Sequence, residues 1–453
     1  MSLSTPHQDP HLQGRKREQW STRLGMILSS AGAAVGLGLF WQFPYTLSNE
    51  GGGAFFLFYS FFILVFGIPL FAAELFLGHS QKKGMGGVFQ SFPTLSLAGP
   101  LSVIVCVGIL SYYCLIAGWG MHYLALSLIR PLHGLSLEQL TSLFGLLSHS
   151  FSLCFFWSTS FLLLSGWIVL RGIVQGIEQW SKRFMPLLFL LLLGLTLYAY
   201  TLPGWKEGVH FLFSWNNISS SSLLASLGLA LFTMSLGQGM IVTYGSYSNS
   251  TKFLQTGFII GILTIVIALL FSMMLYPFLC SFGFSPSEGE NAVFKVMPAI
   301  FAQLPCSNAL CFFFFLLFVL TALSSAVALI EVPTSYLIDA RLLSRSQAVM
   351  ITLCVGSVLN VPVLLSQTGV AFTNFNPVFG QQYIHVLGAI ISDYCIPLGA
   401  LCVSVVVGWH LSISSKQRAL IPGFRVWIFS LRWTVTAGVC ILVFQSLLGA
   451  CSP

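Results

Sequence analysis

Charged residues are scarce in this chain. Of its 453 residues only 7 % are Asp, Glu, Lys or Arg, whereas 56 % are hydrophobic and the mean hydropathy is +0.87. Because a soluble globular domain carries about 25 % charged residues, this composition excludes that class and predicts an all-α polytopic membrane protein with the lipid bilayer as a partner. The net charge of +7 does not indicate a nucleic-acid partner, since the basic residues stand between the apolar runs.

Two kinds of chemical framework are also missing. The eleven cysteines form no CxxC pair, which indicates small buried apolar residues rather than disulfides or a metal site. No grouping of His, Cys or acidic residues has catalytic spacing, so we do not expect an enzyme. Residues 1–20 are polar and the first apolar run is too long for a signal peptide, so we expect no cleavable signal.

Eleven apolar runs are long enough to cross a bilayer, which requires about 20 residues each. The predicted spans are approximately 23–46, 54–78, 98–128, 151–171, 184–203, 221–247, 254–280, 309–339, 347–366, 383–409 and 425–449. We expect a cytoplasmic tail over 1–16, a transporter core over 17–411, and a loop with span 11 over 412–453. Between spans we expect a loop of roughly 20 residues after span 3, a polar stretch at 204–220, and a short helix at 291–303 in the longest loop.

The distribution of positive charge predicts the orientation. With the N-terminus inside, only Arg130, Lys206 and Lys295 of the 19 basic residues lie outside. This asymmetry agrees with the positive-inside rule. We therefore expect a cytoplasmic N-terminus and a C-terminus on the outer side.

Span 1 contains an unusual cluster of glycines. Gly32, Gly36 and Gly38 lie within seven positions, and Pro44 follows. Each glycine costs a helix roughly 1 kcal/mol relative to Ala, and lipid penalises unpaired backbone groups. One interpretation is an unwound segment whose freed N–H and C=O groups bind an ion and a solute. The other is close packing of neighbouring helices through small residues.

Span 6 is interrupted in the same way, at residues 235–239 (SLGQG). Spans 1 and 6 are five spans apart, so two halves of five spans would have opposite orientation. Broken segments at matching places in two halves indicate a binding site near the middle of the membrane. This symmetry favours the binding-site interpretation of span 1.

Several short motifs carry a family resemblance. They are Arg17-Glu18-Gln19-Trp20, Arg23-Leu24-Gly25, Ala34-Val35-Gly36-Leu37-Gly38, Phe43-Pro44, Glu50-Gly51-Gly52-Gly53-Ala54-Phe55, Gly67-Ile68-Pro69-Leu70 with Glu74, Thr243-Tyr244, Pro298-Ala299-Ile300-Phe301 and Glu331-Val332-Pro333. Together they resemble the neurotransmitter:sodium symporter family, over spans 1 to 10. The resemblance implies a five-plus-five inverted repeat and sodium-driven uptake of amino acids or related amines. Eleven spans and short outer loops resemble its prokaryotic branch, which implies a bacterial-type inner membrane.

The resemblance implies one sodium site between spans 1 and 8. Its ligands would be the carbonyls of Gly32, Val35 and Thr321 and the hydroxyls of Ser324 and Ser325. Several neutral oxygens suit a hard cation at a reversible site. The alternative for the two serines is a hydrogen bond to a carbonyl one turn earlier.

The resemblance also implies a solute pocket. The N–H groups near Leu37 and Gly38 and the hydroxyl of Tyr113 would meet a carboxylate. The full predicted set is Ala34, Gly36, Leu37, Gly38, Ile109, Tyr113, Phe232, Thr233, Ser235, Gln238 and Leu329. The alternative is a plain buried tyrosine with apolar packing around it. Gly36 stands where amine-transporting members carry an aspartate, which favours an amino acid over a monoamine.

A gate on the cytoplasmic side is implied by a third set of residues. Arg17 and Asp339 resemble the inner ion pair of the family, and Trp20, Ser246 and Tyr247 resemble its surroundings. An ion pair that is weak when wet and stronger when dehydrated suits a contact that must open. The alternative is an ordinary solvated surface pair.

The sequence departs from the family pattern at three places. Leu39 stands where the first sodium site requires Asn, and the partner in span 7 aligns with Thr264 or Ile265, so we expect one sodium ion rather than two. At the outer gate, Gln42 and Gly388 replace an arginine and an aspartate. Asp393 lies inside span 10, where a carboxylate is costly and commonly functional; it is either a coupling group for protons or cations, or a structural residue.

Taken together, the sequence predicts a sodium-coupled secondary transporter that imports an amino acid or related small solute by alternating access. Spans 1, 2, 6 and 7 would rock against spans 3, 4, 8 and 9. The alternatives are a proton-coupled transporter that uses Asp393, and a membrane receptor or scaffold that does not transport. The intact inner gate argues against a scaffold. The sequence assigns no oligomeric state.

Overall fold

The computed structural model describes residues 17–215, 219–284, 292–341, 343–373, 383–411, 413, 415, 418 and 421–451. Within these residues the chain is helical, and the only extended pairing is a single bridge between Gly52 and Trp215. The predicted tail over 1–16 lies outside the described residues.

Nine helices of the described chain are long and apolar enough to cross a membrane, and a bent pair of helices makes a tenth. The nine correspond to predicted spans 2–5 and 7–11, and we keep those numbers. They are Gly53–Gln81, Pro93–Ile129, Phe151–Leu170, Ile173–Tyr200, Phe253–Ser281, Ser307–Ala340, Arg345–Gln367, Tyr383–His410 and Phe424–Leu447.

Spans 1 and 6 are broken, as the glycines predict. Span 1 consists of Arg23–Ala34 and Gly38–Asn49, bent by 42°. Span 6 consists of Ser220–Thr233 and Met240–Ser246, each too short to cross a hydrocarbon core of about 30 Å alone. Both broken spans lie inside the bundle, so their free backbone ends face other helices rather than lipid.

Prolines explain where spans 2 and 10 deviate from regular helix. A π-helical turn occupies Ile63–Gly67 just before Pro69, and another occupies Ile390–Cys395 just before Pro397. Proline lacks an N–H and its ring clashes with the carbonyl four residues earlier, so the helix widens locally. In span 10 the wide turn contains Asp393.

Short helices connect several spans. The helix predicted at 291–303 is present as a π-helical turn, Ala292–Val296, followed by Met297–Ala302. The prediction of a loop after span 3 is wrong in part, because that segment contains helix Leu137–Ser148. The polar stretch after span 5 contains helix Trp205–Phe213. Ser136 begins the first of these with a capping box.

The core lies between spans 3 and 8, which pack along their lengths and are the most buried of the nine helices. Glycines permit the closest helix contacts. A Cβ atom at Gly78 would collide with the carbonyl of Val242, and one at Gly245 would lie 2.5 Å from the carbonyl of Leu75. Span 2 and the second half of span 6 therefore touch backbone to backbone.

Candidate functional site

The break in span 1 turns backbone carbonyls away from the helix axis. Val35 leaves the helical region (φ −91°, ψ 79°) directly after Ala34. The carbonyl of Ala33 accepts hydrogen bonds from the hydroxyls of Ser235 at 2.6 Å and Ser325 at 3.3 Å. The break is thus held between span 6 and span 8, and its oxygens are available to polar groups.

The break in span 6 requires positive φ angles. Ser235, Gly237 and Gly239 have φ values of 55°, 72° and 86°, a region that glycine adopts without strain. The freed N–H of Gly237 donates to Oε1 of Glu74 at 2.7 Å. Glu74 is fully buried in span 2, and the sequence motif that contains it did not predict this contact.

A small cavity of about 20 Å³ lies between the two breaks. Every residue that was predicted to bind solute lines it, together with Ala33 and Ser325. That volume is enough for about one water, so the side chains stand close together. The structure thus brings the predicted set into one place, while its role in binding remains a prediction.

Tyr113 links the break in span 1 to span 8. Its hydroxyl accepts a hydrogen bond from the N–H of Leu37 at 3.3 Å and donates one to the carbonyl of Ala322 at 3.3 Å. The side chain is only 4 % exposed. Both bonds are long, so a carboxylate in the cavity would be a better partner for the hydroxyl and for the N–H group.

Gln238 is the one amide side chain on the cavity wall. It is 3 % exposed and shares the wall with Ile109, Phe232 and Leu329. Its carbonyl accepts from the thiol of Cys106, but in the described part of the chain no hydrogen bond of its side chain is found. The amide lines the cavity and can therefore bond to a polar group on a bound solute.

The residues of the predicted sodium site are adjacent. A Cβ atom at Gly32 would lie 3.0 Å from Cβ of Ser324, and the Ser324 hydroxyl is 3.5 Å from the Val35 carbonyl. The same hydroxyl donates to the Thr321 carbonyl at 2.8 Å. Ser325 lies on the other side of the break and meets Ala33 rather than Val35.

The chemical type of these neighbouring groups suits a sodium ion. All of them are neutral oxygens, and the carbonyl of Val35 has no partner nearer than 3.5 Å in the described chain. The Ser324 bond to Thr321 is the back-bonding that the alternative interpretation requires. It leaves the lone pairs of the hydroxyl free to bind a cation.

Side chains fill the region where the family resemblance places a first sodium site. Leu39 is fully buried. The hydroxyl of Thr233 is engaged by Tyr59 at 2.9 Å and by the carbonyl of Leu229 at 2.8 Å. The hydroxyl of Thr264 donates within its own helix, to Ile260 at 2.9 Å. These side-chain oxygens are already satisfied.

A wider vestibule of about 370 Å³ adjoins the solute cavity. Leu37, Gly38, Tyr113 and Phe232 line both spaces, so they form the boundary between them. The vestibule wall also carries residues that departed from the family pattern. These are Gln42, Gly388 and Asp393, together with His385.

Asp393 is an exposed carboxylate on the vestibule wall. Its Oδ1 accepts a hydrogen bond from the Ser392 hydroxyl at 2.8 Å, and no basic residue of the described chain forms an ion pair with it. It is therefore accessible to a cation or proton that enters the vestibule.

At the opposite end of the bundle the five predicted gate residues meet. Arg17 donates from Nη1 to both carboxylate oxygens of Asp339, at 2.7 and 2.9 Å, and from Nε to Ser246 at 3.1 Å. Its guanidinium lies over the ring of Tyr247 at 4.8 Å. The Arg17 and Asp339 side chains are 18 % and 20 % exposed, so this is not a freely solvated surface pair.

Trp20 and Tyr247 extend this contact into the core. The indole of Trp20 donates to the carbonyl of Tyr244 at 3.0 Å. Tyr247 donates to Glu331 at 2.7 Å, and Glu331 pairs with Arg345 at 2.6 Å. Arg345 is not among the predicted gate residues, because only the fold brings the start of span 9 to this point.

A second missed residue, Glu178, fixes the segment before span 1. It is fully buried and accepts hydrogen bonds from the N–H and hydroxyl of Ser21 and from the hydroxyl of Thr22, all between 2.7 and 2.8 Å. Lys182 pairs with it at 2.6 Å. The Glu–Lys spacing of four residues was the available sequence signal, but it does not reveal the serine and threonine.

Comparisons with known proteins agree on one family. The model of the sodium:neurotransmitter symporter family matches residues 17–139 and 133–450. The uncharacterized sodium-dependent transporter YhdH of Bacillus subtilis is 31 % identical over 451 residues, covering 97 % of this chain and 99 % of that protein.

Two further matches mention amino acids, one in the name of the protein and one in the description of a crystal structure. The sodium-dependent neutral amino acid transporter B(0)AT2 of Pongo abelii is 41 % identical over 118 residues, 26 % of this chain and 16 % of its own. The crystal structure of MhsT in complex with L-phenylalanine superimposes with a TM-score of 0.87 and 34 % identity, covering 95 % of this chain and 100 % of that one.

Proposed function

This chain belongs to the sodium:neurotransmitter symporter family of membrane transporters. From this premise we propose that it is a sodium-coupled transporter that imports an amino acid together with one sodium ion. The N-terminus would be cytoplasmic, in a bacterial-type inner membrane. The names of B(0)AT2 and of the MhsT complex support an amino acid as the solute.

One observation carries the proposal: the break in span 1 lies between Tyr113, on the wall of the solute cavity, and Ser324, one of the predicted sodium ligands. Leu37 faces Tyr113 on one side of the break, and Val35 faces Ser324 on the other. The solute carboxylate would bind the Tyr113 hydroxyl and the N–H groups after the break, where the helix dipole favours negative charge. The carbonyl oxygens that precede the break would coordinate the sodium ion.

This arrangement couples the two ligands through one backbone segment. Ordering the break for sodium also orders the N–H groups that meet the carboxylate, so each ligand raises the affinity for the other. With the vestibule open and the Arg17–Asp339 pair closed, solute would enter through the vestibule. Rocking of spans 1, 2, 6 and 7 would then close the vestibule and separate Arg17 from Asp339.

We infer a single sodium ion because the side chains at the position of the first sodium site offer no free oxygen. Leu39 offers no oxygen, and the hydroxyls of Thr233 and Thr264 already have partners. The solute carboxylate is therefore held without direct contact to sodium. Gly36 places no acid near the amine end, where a Cβ atom would already lie 2.8 Å from the Ser325 hydroxyl.

The test is solute binding to the purified protein in detergent. A pool of amino acids is screened by thermal shift in sodium and again in potassium, because a ligand that binds only the folded state raises the melting temperature. We expect a shift for one or a few amino acids in sodium alone. A set of amino acids that produces no shift in either salt contradicts the proposal.

A second candidate, proton coupling, rests on Asp393. Its carboxylate lines the vestibule and has only Ser392 as a described partner. Proton coupling predicts that solute binding is independent of sodium and varies with pH, and that Asp393→Asn abolishes the pH dependence. Sodium-dependent binding that Asp393→Asn leaves unchanged excludes this candidate.

A further inference from the structure

A cavity of about 500 Å³ opens beside the Arg17–Asp339 pair, and the transport function proposed above makes no use of it. Six charged side chains line it, and we call it the basic cavity: Arg17, Glu18, Lys82, Lys83, Asp339 and Arg345. Its wall comes from the segment before span 1, the loop after span 2, and the junction of spans 8 and 9. A water occupies about 30 Å³ in the liquid, so a small hydrated anion fits with room to spare.

The acidic groups of the basic cavity are already occupied. Asp339 accepts two hydrogen bonds from Arg17 and one from the N–H of Gly84 at 3.1 Å. Arg345 pairs with Glu331 at 2.6 Å and lies 3.6 Å from Glu18. The carboxylates therefore have little capacity left for other cations, whereas Nη1 of Arg345 makes only long contacts, at 3.4 Å to Glu331 and 3.6 Å to Glu18.

The two lysines of the basic cavity differ from the arginines in their surroundings. Among the described residues, no carboxylate lies within 4.0 Å of Lys82 or Lys83. The ammonium of Lys82 donates to the carbonyl of Ser248, and partial burial together with the positive charge of Arg17 lowers the pKa of this lysine. The stem of Lys83 packs against Gly87, so the residue is anchored at its base.

We propose that the basic cavity binds a phosphate-bearing anion through Lys82, Lys83 and Arg345. Lysine binds phosphate as a point charge, and arginine adds a planar pair of donors. The lysines follow span 2, whereas Arg345 begins span 9. Because the rocking motion would carry these elements apart, a bound anion favours the closed gate and opposes inward opening. Only this last consequence rests on the proposed transport cycle.

The anion is either a free phosphate or the headgroup of an anionic lipid, and two arms of one experiment distinguish them. The full-length protein is placed in nanodiscs of phosphatidylcholine, and its melting temperature is followed as phosphate replaces chloride at constant sodium and ionic strength. In the second arm the buffer holds chloride only, and phosphatidic acid replaces part of the phosphatidylcholine.

Lys83→Gln is the test variant, because the described structure shows no hydrogen bond of its ammonium group to lose. Lys252→Gln is the matched control. Lys252 is an exposed lysine just before span 7, at the same end of the bundle and outside the basic cavity. We expect stabilisation of the wild type and of Lys252→Gln in at least one arm. Lys83→Gln should require at least about tenfold more anion, since a charge-assisted bond is lost.

Stabilisation by phosphate identifies a free anion, and stabilisation by phosphatidic acid alone identifies a lipid headgroup. The proposal is overturned by an unchanged melting temperature in both arms, by a response of Lys83→Gln equal to that of the wild type, or by an equal loss in Lys252→Gln. Because no solute is present, these outcomes depend on anion binding alone, and the proposed transport function is tested separately by solute binding.

Discussion

The hydroxyl of Tyr113 stands 3.3 Å from the backbone N–H of Leu37, across the gap between span 3 and the break in span 1. This contact ties a rigid, buried side chain to the backbone group that the proposal assigns to the solute carboxylate. The O–H of Tyr113 itself donates to the carbonyl of Ala322 at 3.3 Å, a long bond that a closer acceptor can replace.

Tyr113→Phe should therefore weaken solute binding about tenfold or more, because a hydrogen bond to a charged group contributes about 1.5–3 kcal/mol. Binding is measured by titration in sodium. The matched control is Tyr112→Phe, since the neighbouring Tyr112 lines the vestibule and not the solute cavity. Equal affinities for the wild type and Tyr113→Phe would remove Tyr113 from the site.

Ser324→Ala combined with Ser325→Ala should abolish the sodium dependence of solute binding. Both hydroxyls contact carbonyls at the break in span 1, and their loss removes two oxygens from the ion. The control is Ser272→Ala, a buried serine of span 7 that bonds within its own helix. Sodium-dependent binding in the double variant would contradict the assignment of the site.

Leu39→Asn should not create a second sodium site. The partner position in span 7 offers only Thr264, whose hydroxyl is engaged by Ile260. The new amide would instead lack partners in the core and lower the melting temperature, at a cost of about 1–3 kcal/mol. Sodium titrations of solute binding report the number of ions: a slope that rises from one toward two would show that the region still binds an ion.

Arg17→Gln should open the gate more often. The ion pair is partly exposed, so its loss is expected to change the open population by about 1 kcal/mol, roughly fivefold. The measurement is the rate at which a thiol reagent modifies Ser335→Cys, a buried position on the basic cavity, read for that peptide by mass spectrometry. Arg23→Gln, whose partner Gln255 lies outside the gate, is the control and should leave this rate unchanged.

Gln238→Leu should shift solute preference from polar toward apolar side chains. The amide shares the cavity wall with the apolar side chains of Ile109, Phe232 and Leu329. Affinities for a matched pair of amino acids that differ by one polar group are compared, and we expect about a tenfold change in their ratio. Gln42→Leu, on the vestibule wall, controls for a general change in polarity. An unchanged ratio would place the solute side chain elsewhere.

The sequence predicted most of the fold because its signals are local. The glycines at 32, 36 and 38 weaken the helix of span 1, which breaks between Ala34 and Gly38, and SLGQG repeats the pattern in span 6. The helices Leu137–Ser148 and Trp205–Phe213 were missed because amphipathic surface helices are short and less apolar than the spans. Ser136 and Gln139 did carry a capping signature for the first one.

The residues of the candidate site also fall into two groups: those that local motifs predicted and those that only the fold reveals. Residues of the two breaks were found from motifs, and the structure gathers them at one cavity. Glu178 and Arg345 were missed, because their roles depend on which distant element lies opposite. A single buried glutamate in an apolar helix gives no sequence sign that Ser21 and Thr22 will donate to it.

The backbone contact of Gly78 with Val242, and of Gly245 with Leu75, has a consequence for motion. Two helices that meet through side chains can slide by exchanging rotamers, whereas these two present bare peptide groups with no side chain to yield. Span 2 and the second half of span 6 are therefore expected to move as one rigid body. The angular change in a transport cycle must be taken up at its ends, in the wide turn before Pro69 and in the unwound residues 234–239.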